Sequence, residues 1–397
     1  MKTSTVMLLI GLSCEAYGQT AVAPWGPEMN AGKAAFSAGK YPEAAERYLD
    51  ALIKAEAAGT PAGDILPILR AFAAALRTNG DAAGAQQVLE RILVIVKEAH
   101  GETNPETAAV LSEIAVVQRS QDLRQEAIET LKKAIAIRGR SPASEALARD
   151  TTLAGAVYHE MGEDGLAVAY FQMALTVWGM LPDSGLNVLT ALDPLAAICR
   201  DRNDYARAEE LYTWALRLRE AALGPEDAEL ISTIDSLAYV LFGAKKYDEA
   251  EVMYKRLLSI WERVGGPEHP MLSLTLDKMT EFYMEQKRYE EAAPVTQRAQ
   301  AIRVKAMLQT LHRSGRVLVG EKKIEEALDL YERTVRIATD ARVPDEEIAG
   351  VLTTYAILLR QQQREKDAAI IGRRLKAAME KTTAKEGKRA QPPAPRQ

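Results

Sequence analysis

Three pairs of side chains stand four residues apart in this chain: Asp235 with Tyr239, Asp277 with Glu281, and His312 with Arg316. On a helix that spacing puts both members on one face, where carboxylates, a phenol and basic groups hold a partner by charge and ring contact. The same inventory is poor in groups arranged for catalysis. The four histidines, His100, His159, His269 and His312, are scattered, and no His-Glu-x-x-His pair offers two zinc ligands on one helix face. His159 and Glu160 are neighbours and point to different faces. There is no Gly-x-Ser-x-Gly elbow, no glycine-rich phosphate loop ending in Gly-Lys and no dinucleotide fingerprint after a strand. The expectation is a non-enzymatic chain without cofactor or metal.

The elements that must position these residues follow from a repeat. An alanine returns about every 41 residues, at Ala44, Ala85, Ala127, Ala167, Ala208, Ala250, Ala292, Ala327 and Ala368, and a period in that range marks a helical solenoid. Four residues after the alanine stand Tyr48, Leu89, Leu131, Phe171, Tyr212, Tyr254 and Tyr331, with Thr296 and Gly372 as exceptions. Seven after it the residue is again small or apolar in most units, which completes one helical stripe. Small or apolar residues thirteen before it, such as Ile114, Ala154, Leu195, Leu237 and Met279, place a second helix just upstream. The small alanine lets the two backbones approach and the large residue one turn later fills the groove beside it. In the loops, Gly101, Gly224 and Gly266 suit a left-handed helix end. Asn104 and Asp227 suit the next N-cap, His269 is a weaker cap, and Pro105 and Pro270 suit the first helical position.

The stretches Tyr205-Ala-Arg-Ala208-Glu-Glu-Leu-Tyr212 and Tyr247-Asp-Glu-Ala250-Glu-Val-Met-Tyr254 resemble tetratricopeptide repeats. The unit of 41 or 42 residues and the Gly266-Pro-Glu-His269-Pro270 loop resemble the longer variant of kinesin light chains. The resemblance implies an all-α, right-handed superhelical solenoid of about nine helix-turn-helix repeats over residues 27–380. It also implies a scaffold that binds a protein or peptide in a concave groove lined by the first helix of each pair. In that frame the groove residues lie fifteen, eleven and eight positions before the alanine: Asp193, Asp235, Asp277 and His312; Tyr239, Glu281 and Arg316; Arg119, His159 and Arg200. Their order predicts a basic, then acidic, then basic groove. The carboxylate clamp of chaperone adaptors is not matched, because Ala197, Tyr239 and Glu281 stand where its Asn belongs.

The net charge of −5 over 397 residues gives no dominant basic stripe, so nucleic acid is not expected. From Arg360 onward eleven Lys or Arg meet four Asp or Glu, so the end is basic and the body acidic. Residues 381–397, with Pro392, Pro393 and Pro395, read as a disordered tail. At the other end Lys2, the apolar run Val6 to Leu12 and the small residues Ala16 and Gly18 predict a signal peptide over 1–18, followed by a linker over 19–26. The expectation is export, to a bacterial periplasm or the medium. Lipidation at Cys14 with membrane anchoring is the alternative, as a subunit of an envelope assembly. Removal of Cys14 would leave Cys199 alone, at a core position and without an internal disulfide.

Two irregularities stand out. Between Ala292 and Ala327 the spacing shrinks to 35, and Ala301 to Met307 contains no Gly, Pro or Asn to end a helix. A tight turn or a fusion of two helices is therefore expected, with Pro194 and Pro294 bending their helices.

Overall fold

The computed structural model describes residues 23–182 and 184–389. Among them the long regular elements are all α-helices, and the chain divides into two compact units after Leu218. The first unit contains α1 (Gly26–Ser37), α2 (Tyr41–Ala57), α3 (Ala62–Thr78), α4 (Ala82–His100), α5 (Pro105–Ser120), α6 (Arg124–Arg138), α7 (Glu145–Glu160), α8 (Asp164–Gly179) and α9 (Leu189–Asp201). The division falls within α10 (Tyr205–Leu223). The second unit contains α11 (Ile231–Gly243), α12 (Tyr247–Gly265), α13 (Pro270–Glu285), α14 (Tyr289–Gly320), α15 (Ile324–Asp340), α16 (Ala349–Gln361) and α17 (Glu365–Arg389).

Consecutive helices pair as the repeat requires, and all nine repeat alanines lie on the second helix of their pair with at most 3% exposure. Within each unit the second helix in turn packs on the first helix of the next pair, so a hydrophobic face is closed by a neighbour in the chain. The shortened spacing has a simple cause. α14 runs unbroken for 32 residues and serves as the second helix of repeat seven and the first helix of repeat eight. Seventeen helices thus make nine pairs among the described residues.

The turn inside every pair is built the same way. The residue five before each repeat alanine is left-handed: Gly39, Gly80, Asp122, Gly162, Asn203, Lys245, Lys287, Lys322 and Gln363. The next amide then donates back to the first helix across five residues, as Lys246 does to Leu241 and Arg288 to Tyr283, both at 2.9 Å. This is the Schellman closure. It uses glycine at only three of the nine positions and forces ordinary side chains into the left-handed region at the other six.

The longer loops between pairs use the expected caps. Asn104 accepts from the Glu106 amide at 2.8 Å and Asp227 from the Glu229 amide at 2.8 Å. His269 caps too, through Nδ1 and the Met271 amide at 3.3 Å.

Besides the repeat alanine, a small residue twelve before it lets the paired helices approach in three repeats. A Cβ on Gly32 would lie 2.6 Å from the Tyr48 ring, on Gly155 2.9 Å from Phe171, and on Gly315 2.6 Å from Tyr331. The large residue of the second helix sits directly on the backbone of the first. In repeat seven, where threonine replaces the aromatic, Thr296 and Thr280 hydroxyls meet at 3.1 Å across the same contact. In repeat nine, Gly372 fills no such space, and an open, largely apolar groove of about 890 Å³ lies between α16 and α17.

The tail expectation needs one correction, since α17 continues to Arg389 rather than ending near 380. Residues 381–389 contain Lys381, Lys385, Lys388 and Arg389 with one Ala and one Glu, and they lengthen a helix already formed, which avoids the cost of a new nucleus. Residues 390–397, and the proposed signal segment with Cys14, lie outside the described residues. Cys199 is 4% exposed and burial pushes its thiol pKa up, so it packs as a core residue.

Candidate protein-interaction face

In the first unit, ion pairs tie the first helices of successive repeats side by side. Arg70 on α3 reaches Glu106 of α5 at 2.7 Å and Glu113 at 3.8 Å, and Arg119 on α5 pairs with Glu160 on α7. The Glu113 carboxyl is pushed up by burial, against the pull of Arg70 and Arg77. Along this face the register eight before the alanine carries Arg77, Arg119, His159 and Arg200. The register eleven before carries Ala74, Val116, Ala156 and Ala197, a shallow floor with no large polar group.

These cations are not idle. His159 Nδ1 lies 2.7 Å from Asp164, and Arg200 lies 2.9 Å from Asp201 and 3.5 Å from the Tyr212 hydroxyl. Asp193 is likewise engaged within the chain. Arg70 and Arg77 were missed in the sequence reading, although extending the same frame one repeat upstream finds them.

In the second unit, α11 and α13 form the corresponding face. Both oxygens of Asp235 accept from Lys278, at 2.6 and 2.7 Å. Asp277 pairs with Arg303. Tyr239 is 48% exposed. Tyr239, Glu281 and Arg316 make no hydrogen bond or ion pair among the described residues. The acidic stretch is therefore partly neutralised by the chain's own cations, which spacing alone did not reveal.

His312 is placed differently from the open groove position expected of it. It is half-buried and meets the Tyr331 ring edge-on at 5.8 Å. It lines a small cavity of about 90 Å³ with Leu308, Ile348 and Gly350, and its Nδ1 is buried without a partner. Burial, with help from Arg316, pulls its pKa below the usual 6.5. Lys305 and Glu347 beside it are paired at 3.1 Å.

A base held neutral in the fold and free to protonate when unfolded costs nothing above its unfolded pKa. It costs stability as pH falls below it. The second unit should therefore lose stability as pH drops from about 7.5 through 6.5, levelling off below the depressed pKa. The change is measured by urea denaturation at stepped pH. His312→Leu should remove that part of the slope; an unchanged slope would mean that other groups set it.

Among the described residues no three His, Cys, Asp or Glu side chains converge as metal ligands do. No described helix is long and apolar enough to cross a membrane.

Comparison with known proteins agrees with the repeat architecture. The tetratricopeptide repeat family profile matches residues 64–140, 148–221 and 230–303, more than half of the chain. A search of curated proteins finds no match. Among solved structures, the apo form of RapI is similar over 91% of this chain and 98% of its own, at 13% identity and a TM-score of 0.50. BtubC (BKLC) from P. vanneervenii is 19% identical over 61% of this chain and 91% of its own, with a TM-score of 0.45. A Podosopora anserina protein described as a kinesin light chain with nearly identical repeats is 18% identical over 50% of this chain and 96% of its own, TM-score 0.44. With the repeat alanines buried, the pair turns uniform and the profile matched three times, the chain belongs to the tetratricopeptide repeat family.

Proposed function

We propose that this protein is an exported, non-enzymatic scaffold that binds a protein or peptide partner on the inner face of its repeat array. The observation that carries this reading is exposed apolar side chains at one register in three of the nine repeats. Eleven residues before the repeat alanine, Val116, Tyr239 and Ile357 are 40%, 48% and 48% exposed on first helices that otherwise bury their apolar residues. Apolar groups kept in water at a recurring register make sense where a partner covers them. Beside them stand charged side chains whose present partners are exposed ion pairs, worth little and cheaply exchanged for a partner's charges. Export rests on the N-terminal segment read above.

The test is capture of the tagged chain with its partner after mild crosslinking in the native host, with the intact mass of the mature chain read from the same preparation. Asp235, Asp277 and Glu281 replaced together by alanine should reduce capture at least tenfold with the helical circular dichroism unchanged. Undiminished capture by that variant would remove the inner face of the second unit as the binding surface. A mature chain starting at Gln19 supports soluble export, a diacylglyceryl mass on Cys14 supports the anchored form, and retention of Met1 overturns both.

A further inference from the structure

The tyrosine four residues after the repeat alanine carries its hydroxyl toward the first helix of its pair, and in two repeats that hydroxyl is satisfied by the chain itself. In repeat five the Tyr212 hydroxyl lies 3.5 Å from the Arg200 guanidinium. In repeat eight the Tyr331 hydroxyl donates to the His312 carbonyl at 3.3 Å. Repeat six differs. Phe242 stands at the register of Arg200, so the chain supplies no cation there.

Tyr254 is 2% exposed and makes no hydrogen bond among the described residues. Its ring meets Phe282, the neighbour of Glu281, at 5.9 Å, and Lys278 of the same helix reaches Asp235 at 2.6 Å, which brings both carboxylates and Tyr239 to the vicinity of Tyr254. Burial and these two carboxylates push its pKa up, so it stays a neutral hydroxyl able to accept a hydrogen bond. Asp277 is turned away to Arg303, and Lys278 occupies Asp235 from an exposed position. Glu281 has no cation, and the exposed ring of Tyr239 stands one repeat before it at the same register.

We infer that Glu281, Asp235, the Tyr254 hydroxyl and the ring face of Tyr239 form a seat for one arginine or lysine side chain of a partner polypeptide. Two carboxylates and a phenol oxygen accept from the cation's N–H groups, and the ring contributes a cation–π contact. Arg200 over Tyr212 is the chain's own example of a guanidinium at this tyrosine hydroxyl. Lys278 is displaced from Asp235 or shares it with the incoming group. The proposal rests on the reading of the inner face as the partner-binding surface and names the chemistry of one residue of that partner.

The experiment is fluorescence polarisation on the full chain with a capped, fluorescein-labelled nonapeptide bearing Arg at alternate positions. A counterpart with Gln at those positions serves as the neutral probe. The Arg peptide should bind about tenfold more tightly than the Gln peptide, and Glu281→Gln should abolish that difference. Tyr239→Leu should weaken binding several-fold and Lys278→Ala should strengthen it. Glu249→Gln, at an exposed carboxylate of α12, should change nothing.

Equal effects of Glu281→Gln and Glu249→Gln would overturn the seat as diffuse acidity. Competition by N-acetylarginine amide at the peptide's own concentration would overturn the polypeptide as the source of the cation. If the triple variant loses its captured partner while Glu281→Gln leaves peptide binding intact, the inner-face reading stands and the seat falls. If peptide binding needs Glu281 but capture survives the triple substitution, the seat stands and that reading falls.

Discussion

Replacing Asp150 by alanine should destabilise the first unit by about 3–5 kcal/mol, the cost of leaving a buried cation alone. Asp150 on α7 and Arg138 at the end of α6 form an ion pair of 2.7 Å whose side chains are only 6% and 13% exposed. Burial pushes the Asp150 carboxyl above its usual range, and Ser112 and Arg138 pull it back only in part. The upward direction means that burial costs the carboxylate more than its partners return, which matches the general behaviour of buried ion pairs. Breaking it is therefore costly while having it is close to neutral.

The corollary is sharper than the loss itself. Arg138→Met with Asp150→Leu should return stability to within about 1 kcal/mol of the parent. Urea denaturation followed by circular dichroism measures both variants, with hydrogen exchange over α6 and α7 because repeat arrays do not always unfold in one step. A double variant as unstable as Asp150→Ala would show that the pair contributes net stability. A single variant within 1 kcal/mol of the parent would show that water reaches Arg138.

What the sequence made legible depended on period and side-chain size. The nine alanines located nine buried contacts, and the missing helix stop between Ala301 and Met307 anticipated the fusion in α14. The left-handed residue five before each alanine was not legible, because six of the nine are Asp, Asn, Lys or Gln and the backbone closure imposes the conformation. The glycines under the aromatics were passed over for a similar reason. Only Gly32, Gly155 and Gly315 mark a position where other repeats carry alanine or threonine.

On the first helices the candidate residues were findable by register, but their state was not. Asp235 and Asp277 take their cations from Lys278 and Arg303, 43 and 26 residues away in sequence. Tyr254 was read as a packing residue, and only its burial together with its unpaired hydroxyl gives it a second role.

The contact between Gly155 and Phe171 predicts an effect that changes sign with its partner. Phe171 is fully buried on α8, and Phe171→Ala should cost about 3–5 kcal/mol through lost burial and the cavity left behind. Gly155→Ala in the parent adds a methyl 2.9 Å from that ring, closer than real side-chain carbons approach. The overpacking cost of about 1–3 kcal/mol exceeds the roughly 1 kcal/mol that alanine gains over glycine in a helix, so this variant also loses stability. With Phe171 already alanine the clash is gone and only the helix gain remains. Gly155→Ala should then stabilise by up to about 1 kcal/mol, aided by the methyl partly refilling the cavity. The four proteins of this cycle are compared by urea denaturation and by exchange protection of α7 and α8. Additive losses would mean that the helices slide apart to admit the methyl, and the close approach of ring to backbone would then not be what sets the spacing of the pair. The natural substitution in repeat seven bears on the outcome: Thr280 stands at the glycine position where Thr296 stands at the ring position, and their hydroxyls join at 3.1 Å.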